Sequence, residues 1–211
     1  MRGSIYAIAD AEALAPRPLP EAVAEMAAAG VRSLQVRAKK LSGSSGYEAL
    51  EGCCRVLAGR GVELWVDDRA DFAALFPVAG LHLGQTDLPP AAARRVVGRD
   101  VRIGLSTHTE EQVAAADADP DVNVIAVGPI FPTASKERPD PVVGLDLLRW
   151  ARARTGKRLL AIGGIDAGNV ASVLAAGADA AVVLGAVCRG DVRANCRRLL
   201  AAAGEAGCGS T

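Results

Sequence analysis

The chain has 211 residues, 24 Lys and Arg against 24 Asp and Glu, and a formal net charge of zero. Half of the residues are hydrophobic and 3% are aromatic, so the length suits one domain, or two small ones, with a self-sufficient core. The balanced charge argues against binding to nucleic acid or a membrane surface, and no apolar run reaches the roughly 18 residues needed to cross a bilayer.

The N-terminus and the cysteines indicate a cytoplasmic protein. Met1 to Gly3 lead directly into a β-like run, without the apolar stretch and cleavage site of a signal peptide. The five cysteines show no metal-ligand spacing, and Cys53 and Cys196 fall on apolar helical stripes, where free cysteine acts as a small core hydrophobe. We therefore expect no disulfide framework. The expected partners are small-molecule substrates, with a homo-oligomer as an open alternative.

Strand-like and helix-like segments alternate eight times along the chain. The strands are predicted at 4–10, 33–39, 63–68, 80–85, 102–107, 122–131, 158–165 and 180–187. The helices between and after them are predicted at 19–29, 47–59, 69–76, 88–97, 109–119, 145–154, 169–176 and 191–203. Several strands are nearly continuous apolar runs, which is typical of parallel strands buried on both faces.

Eight strand–helix units without a shift in composition predict a closed α/β barrel. We expect residues 1–211 to form a single (β/α)8 TIM barrel with a short flexible C-terminal tail from about residue 204. A doubly wound open sheet is the alternative, but it usually has fewer strands and a glycine-rich first turn. The first turn here, from Ala9 to Glu12, contains no glycine. In a barrel, the chemistry belongs where strands end and helices begin, and the loops at 41–46 and 132–144 could act as lids there.

The second strand predicts an anion site. Its alternation places Gln35, Arg37 and Lys39 on one face, opposite an apolar face that suits packing under helices. Two cations that point into a barrel are costly unless an anion neutralises them.

Carboxylates follow the third and fourth strands. Asp68 and Asp87 are therefore expected about one strand spacing, roughly 5 Å, apart. Mg²⁺ keeps several waters and shares its shell with substrate phosphates, so two protein carboxylates are enough to bind it. The alternative is that both residues are helix N-caps.

The remaining strand ends carry hydroxyls, glycines and one more cation. Ser106 ends the fifth strand, and Thr133 and Lys136 follow the sixth. Gly163-Gly164 and Gly185 follow strands seven and eight, the recurrent phosphate site of barrels, because bare N–H groups can approach a phosphate there. His82 and His108 have no partner nucleophile in the pattern, so structural roles are expected.

Taken together, these motifs resemble the thiamine-phosphate synthase family. The resemblance runs from about residue 5 to residue 187, and the set of motifs is specific although no single one is. It rests on Gln35-x-Arg37-x-Lys39, Asp67-Asp68-Arg69, the run from His82 to Pro89, the run from Gly128 to Lys136, Ile162-Gly163-Gly164-Ile165 and the run from Ala176 to Asp179.

The resemblance implies a (β/α)8 barrel that joins an aminopyrimidine diphosphate to a thiazole phosphate with Mg²⁺ and releases diphosphate. It assigns Mg²⁺ to Asp68 and Asp87, and the pyrimidine diphosphate to Gln35, Arg37, Lys39, Ser106 and Lys136. It assigns the thiazole phosphate to Thr133, Ser135, Gly164, Leu184 and Gly185, and it places Asp67 against the pyrimidine.

Three positions depart from the family pattern. Asp67 stands where Asn is usual, and a carboxylate only accepts hydrogen bonds whereas an amide also donates them. Gly185 replaces a usual Ser and lacks its hydroxyl, while Ser135 replaces a usual Thr and keeps it. The alternatives are a related thiazole tautomerase, another phosphate-handling epimerase or isomerase, and a catalytically silent binding paralogue.

Overall fold

The computed structural model describes residues 4–133 and 140–207. Eight parallel strands close into one barrel in chain order, with β1 pairing to both β2 and β8, so the predicted (β/α)8 fold is confirmed and the open sheet is wrong. The strands are β1 Ser4–Asp10, β2 Ser33–Arg37, β3 Glu63–Asp67, β4 Gly80–Leu83, β5 Arg102–Thr107, β6 Val124–Val127, β7 Arg158–Ile162 and β8 Ala180–Val183.

Helices follow the strands and cover the outside of the barrel. They are α1 Ala11–Leu14, α2 Leu19–Ala29, α3 Gly43–Leu57, α4 Ala70–Leu75, α5 Pro90–Val97, α6 Glu110–Ala118, α7 Gly144–Arg152, α8 Val170–Ala175, α9 Gly185–Cys188 and α10 Val192–Gly207. Within the described ranges, no helix combines the length and apolar character needed to span a bilayer.

The loop expected at 41–46 is instead the beginning of α3. The hydroxyl of Ser42 accepts a hydrogen bond from the Ser45 N–H at 3.3 Å, so the helix begins at Gly43 and not at Tyr47. Gly46 then packs against the Phe72 ring, where an added Cβ would lie 3.0 Å from the ring. Most of this segment is therefore the first turn of a helix and not a loop. The second predicted lid, at 132–144, includes residues 134–139, which lie outside the described part of the chain.

Several strands are shorter than predicted, because the apolar run continues into the first turn beyond the strand. Strand β6 ends at Val127, since Pro129 has no N–H to donate to a neighbouring strand. Strand β8 ends at Val183, and the apolar residues after it form helix α9, which the sequence did not predict. At the other end of the chain, α10 continues to Gly207 and passes residue 204, where the tail was expected, because the alanines at 201–203 favour a helix.

Two apolar layers surround the strands. The outer layer lies between strands and helices and includes Cys53 and Cys196, both fully buried as predicted. The inner layer fills the barrel and contains Tyr6, Ile8, Trp65, Val124, Ala126, Leu160, Ala180 and Val182. Gly80 leaves the space for Trp65, because an added Cβ would lie 2.3 Å from the indole ring.

Ion pairs close the N-terminal end of the barrel. Glu63 binds Arg102 at 2.8 Å and Arg158 at 3.1 Å, each through a different carboxylate oxygen. With this end closed, the barrel interior opens at the C-terminal ends of the strands.

Candidate active site

A cavity of about 670 Å³ lies at the C-terminal ends of the strands. The predicted site residues that line it are Gln35, Arg37, Lys39, Asp67, Asp68, Asp87, Ser106, Thr133, Gly164, Leu184 and Gly185. The structure thus brings together every predicted site residue except Ser135 and Lys136, which lie outside the described residues.

Arg37 is held at one side of the cavity by two carboxylates. It forms an ion pair with Asp10, and its Nε lies 3.5 Å from Asp67 Oδ2. The side chain of Asp10 is only 5% exposed, and its Oδ1 also accepts a hydrogen bond from the Ala13 N–H at 2.8 Å, which caps α1. Burial would lower the pKa of Arg37, but the hydrogen bond and charge of Asp10 outweigh it and raise that pKa. The guanidinium therefore stays charged and fixed.

Asp10 is a site residue that the sequence analysis missed. A signal for it exists, because alternation along β1 places Asp10 on the same inward face as Tyr6 and Ile8. In the parallel register Asp10 also lies directly opposite Arg37. A carboxylate at a strand end beside a predicted inward arginine indicates an ion pair.

Lys39, Asp68 and Asp87 form a second charged group beside Arg37. Lys39 Nζ lies 2.7 Å from Asp68 Oδ2, and the Asp68 and Asp87 carboxyl groups are within hydrogen-bonding reach of each other. Burial raises the pKa of Asp68, and the adjacent Asp87 adds to the rise while Lys39 opposes it. The two carboxylates meet in space, as the adjacent strand ends predict.

Neither of these two aspartates caps a helix. The N-cap of α4 is Arg69 and that of α5 is Pro89, and neither helix has a side-chain cap. Asp87 Oδ2 accepts a hydrogen bond from the Gly84 N–H at 2.7 Å and so holds the turn after β4. Asp68 has a φ of 59°, in the left-handed region that residues other than glycine seldom adopt. Such strain is typical of functional sites, which favours a ligand-binding role over the capping alternative.

Three buried polar atoms inside the barrel have no hydrogen-bond partner within the described residues. They are Tyr6 Oη, Trp65 Nε1 and Asp67 Oδ2. Burial and the charge of Asp67 raise the pKa of Tyr6, so its hydroxyl remains a donor. The other Asp67 oxygen accepts a hydrogen bond from Gln35 Nε2 at 2.6 Å. Burial, followed by the charge of Asp68, raises the pKa of Asp67 to about 7 despite the nearby Lys39 and Arg37.

Both histidines line the cavity. His82 Nε2 lies 2.9 Å from Ser106 Oγ, so the histidine fixes the orientation of that hydroxyl. His108 Nδ1 lies 2.6 Å from the Gly128 carbonyl oxygen, and its Nε2 lies 3.6 Å from Asp140 Oδ2. Sequence reasoning assigned structural roles to both, and it missed the contact of His82 with Ser106 because the two strands had no predicted register.

Glycine backbone forms the opposite side of the cavity. Gly164 has a φ of +64°, and an added Cβ would lie 2.5 Å from the Pro132 carbonyl oxygen, so only glycine fits there. Its own carbonyl accepts a hydrogen bond from Asn169 Nδ2 at 2.9 Å, whereas its N–H donates none within the described residues. Leu184 and Gly185 line the cavity next to it. Such bare N–H groups can bind a phosphate.

The donor set fits Mg²⁺ bound jointly by protein and substrate. Within 4–133 and 140–207, no group of three or more His, Cys, Asp or Glu side chains is arranged to hold a metal. Two adjacent carboxylates, Asp68 and Asp87, raise the local negative charge, and Mg²⁺ commonly binds one or two carboxylates and completes its shell with phosphate and water.

Fold and site together define a (β/α)8-barrel enzyme that handles phosphorylated substrates, with paired cations and carboxylates facing a glycine-lined end. The family model described as "Thiamine monophosphate synthase" matches residues 5–187. This chain belongs to that family.

Similar proteins agree with this assignment. A thiamine-phosphate synthase from Koribacter versatilis is 45% identical over 85% of this chain and 86% of its own length. One from Acidothermus cellulolyticus is 44% identical over 80% of each chain. The solved thiamine phosphate pyrophosphorylase from Pyrococcus furiosus superposes with a TM-score of 0.86, at 27% identity over 96% of both chains. These relatives support the prediction of a thiamine-phosphate synthase. They do not support the alternatives of a thiazole tautomerase, an epimerase or isomerase, or a catalytically silent paralogue.

Proposed function

We propose that this chain condenses a hydroxymethylpyrimidine diphosphate with a thiazole phosphate to give thiamine phosphate and diphosphate. The observation that carries the proposal is a single cavity with charged groups on one side and glycine backbone on the other. Arg37, Lys39, Asp68 and Asp87 suit a diphosphate with its metal, and Gly164 suits a phosphate monoester. Two differently phosphorylated substrates can therefore meet end to end.

The charged side of the cavity would bind and stabilise the departing diphosphate. The bond between the pyrimidine methylene carbon and the diphosphate oxygen breaks, and its electron pair leaves with the oxygen. Arg37 and Lys39 are fixed by carboxylates before substrate arrives, so they need no reorganisation as the negative charge develops. Ser106, oriented by His82, would donate a further hydrogen bond, and Lys136 is proposed to add a third cation.

Asp68 and Asp87 would hold Mg²⁺. When bound, Mg²⁺ neutralises negative charge on the diphosphate oxygens. Lys39 lies 2.7 Å from Asp68 and offsets one of the two carboxylate charges, so with Mg²⁺ bound the group would be net positive and would attract a diphosphate.

The side chains of Asp67 and Gln35 would orient the pyrimidine. Asp67 Oδ2 is buried without a hydrogen-bond partner within the described residues, so it can accept a hydrogen bond from the exocyclic amine. Gln35 holds the other Asp67 oxygen at 2.6 Å and fixes the direction of the carboxylate. The carboxylate can therefore serve where an asparagine is usual.

The glycine side would hold the thiazole phosphate through Thr133, Ser135, Gly164, Leu184 and Gly185. The thiazole nitrogen would then attack the pyrimidine methylene cation with its lone pair and form the new C–N bond. This sequence of bond breaking and bond making requires no protein nucleophile. A cytoplasmic location and small-molecule partners are consistent with such a reaction.

The test is a product assay on the purified chain. Both substrates are supplied with and without Mg²⁺, and thiamine phosphate is followed by chromatography. The proposal predicts Mg²⁺-dependent thiamine phosphate. A chain that binds the thiazole phosphate in a calorimeter but forms no product under any of these conditions would refute it.

A further inference from the structure

Arg189 lies directly after helix α9, at the glycine side of the cavity. It lines the same cavity as Gly164 and Gly185. Arg189 is the C-cap of α9, and its backbone is extended, with φ −95° and ψ 134°. Its carbonyl oxygen accepts a hydrogen bond from Asn195 Nδ2 at 2.5 Å, so the backbone at this position is fixed to α10. The side chain therefore starts from a defined point beside the glycine backbone.

The surroundings of Arg189 differ from those of Arg37 and Lys39. Arg37 and Lys39 are neutralised by carboxylates. The guanidinium of Arg189 makes no hydrogen bond or ion pair with any residue of 4–133 or 140–207. Asp166 is a carboxylate on the same side, and its Oδ1 accepts a hydrogen bond from the Gly168 N–H at 2.8 Å within its own loop. Within the described residues, Arg189 therefore has a full positive charge that can bind an anionic ligand.

Among the described residues, the glycine side otherwise offers little positive charge to a phosphate monoester. Such a group carries nearly two negative charges at neutral pH. Gly185 has no side chain, so this position contributes only its backbone, and backbone N–H groups supply partial charges. A guanidinium adds a full charge and a planar pair of donors that matches phosphate oxygens.

We propose that Arg189 binds the phosphate of the thiazole substrate and makes this chain specific for the phosphorylated thiazole. Arg189 supplies a hydrogen-bond donor on the side of the cavity where Gly185 lacks a hydroxyl. This inference rests on the proposed function, since it assigns that phosphate to the glycine side. Arg189 contacts the substrate at a distance from the reacting atoms, so its effect falls on binding.

The test compares three variants with the wild-type chain. Arg189→Gln removes the charge with a side chain of similar length, and Arg189→Lys keeps the charge but loses the planar fork. Arg193→Gln is the matched control, because Arg193 is an exposed arginine of α10 that does not line the cavity. For each chain, KM is measured separately for the thiazole phosphate and the pyrimidine diphosphate, together with kcat.

Arg189→Gln should raise KM for the thiazole phosphate about tenfold or more, as expected for one charge-assisted hydrogen-bonding group. Its kcat and its KM for the pyrimidine diphosphate should stay within about twofold of wild type, since Arg189 touches neither the diphosphate side nor the reacting atoms. Arg189→Lys should recover part of the loss, and Arg193→Gln should match the wild type.

An unchanged KM for the thiazole phosphate in Arg189→Gln, in an active enzyme, would overturn the inference and leave the proposed function intact. A wild-type chain that makes no thiamine phosphate would instead refute the proposed function. In that case, calorimetry with thiazole phosphate alone still tests whether Arg189 binds its phosphate. Binding at least about tenfold weaker in Arg189→Gln supports its role, and equal or absent binding in both chains overturns it.

Discussion

Replacing Asp67 by asparagine should stabilise the chain at neutral and alkaline pH but not at acidic pH, in the absence of Mg²⁺ and substrates. Asp67 is buried beside Asp68, and its pKa is raised from 3.8 to about 7. A carboxyl group with a raised pKa binds its proton more tightly in the folded chain than in the unfolded chain. Its contribution to stability is therefore complete below pH 4 and is lost as the pH rises through 7.

The size of the effect follows from the shift in the pKa of Asp67. A rise from 3.8 to about 7 spans about three pH units, and each unit corresponds to about 1.4 kcal/mol. Relative to the wild type, Asp67→Asn should therefore gain about 3–4 kcal/mol in free energy of unfolding between pH 4 and pH 8. The Asn oxygen can still accept the hydrogen bond from Gln35 Nε2, so the local geometry is kept.

The assay is urea denaturation of both chains at intervals from pH 4 to pH 8. Asp71→Asn serves as a control of opposite sign, because the Arg69 hydrogen bond lowers the pKa of the exposed Asp71. Because the pKa of Asp71 is lowered from 3.8, its carboxylate is already charged throughout this range, so that variant should be slightly less stable than the wild type by an amount that stays nearly constant from pH 4 to pH 8. Parallel pH profiles for the wild type and Asp67→Asn would refute the reasoning, since they would mean that the Asp67 carboxyl group ionises as easily in the folded chain as in the unfolded one.

Three further changes test other parts of the site. Asp87→Ala should abolish turnover, while the free energy of unfolding in urea changes by no more than about 1–2 kcal/mol; full Mg²⁺-dependent activity would remove Asp87 from the metal site. Asp10→Asn keeps the oxygen that caps α1 but removes the carboxylate charge that pairs with Arg37. In steady-state assays, KM for the pyrimidine diphosphate should rise and kcat should fall, each about tenfold. Unchanged kinetics would exclude a positioning role for Asp10. Gly164→Ala should raise KM for the thiazole phosphate and lower the free energy of unfolding by more than about 2 kcal/mol, because the added Cβ clashes with the backbone of Pro132. Gly59→Ala is the control, because Gly59 has a φ of +71° but open space around it, and it should lower the free energy of unfolding by only about 1 kcal/mol. Equal losses in these two variants would contradict the steric argument.

The barrel was predictable because its evidence is periodic. Buried parallel strands such as β7 read as apolar runs, and they recur eight times between helical segments. The boundaries were less predictable, because an apolar run does not show where a strand gives way to a turn. At the end of β8 the residues Gly185 to Cys188 continue the run but form helix α9.

The sequence predicted those site residues whose polar or charged side chains lie at the end of a strand and face the barrel interior. Gln35, Arg37 and Asp68 illustrate this, since alternation and strand order alone bring them to one edge of the barrel. The contact between Asp10 and Arg37 depends on the register of two strands, and the lack of a partner for Arg189 within residues 4–133 and 140–207 depends on three-dimensional packing. Alternation predicts that Asp10 faces inward, but neither its contact with Arg37 nor the surroundings of Arg189 can be read from spacing along the chain.

If two phosphorylated substrates react in one cavity, the stoichiometry of the reaction shows it. Purified wild-type chain is given pyrimidine diphosphate and Mg²⁺, with and without thiazole phosphate, and released diphosphate and thiamine phosphate are both quantified. We expect the two products to appear in equal amounts and the release of diphosphate to depend on the thiazole phosphate. Release of diphosphate without thiamine phosphate, or no release at all, would contradict it.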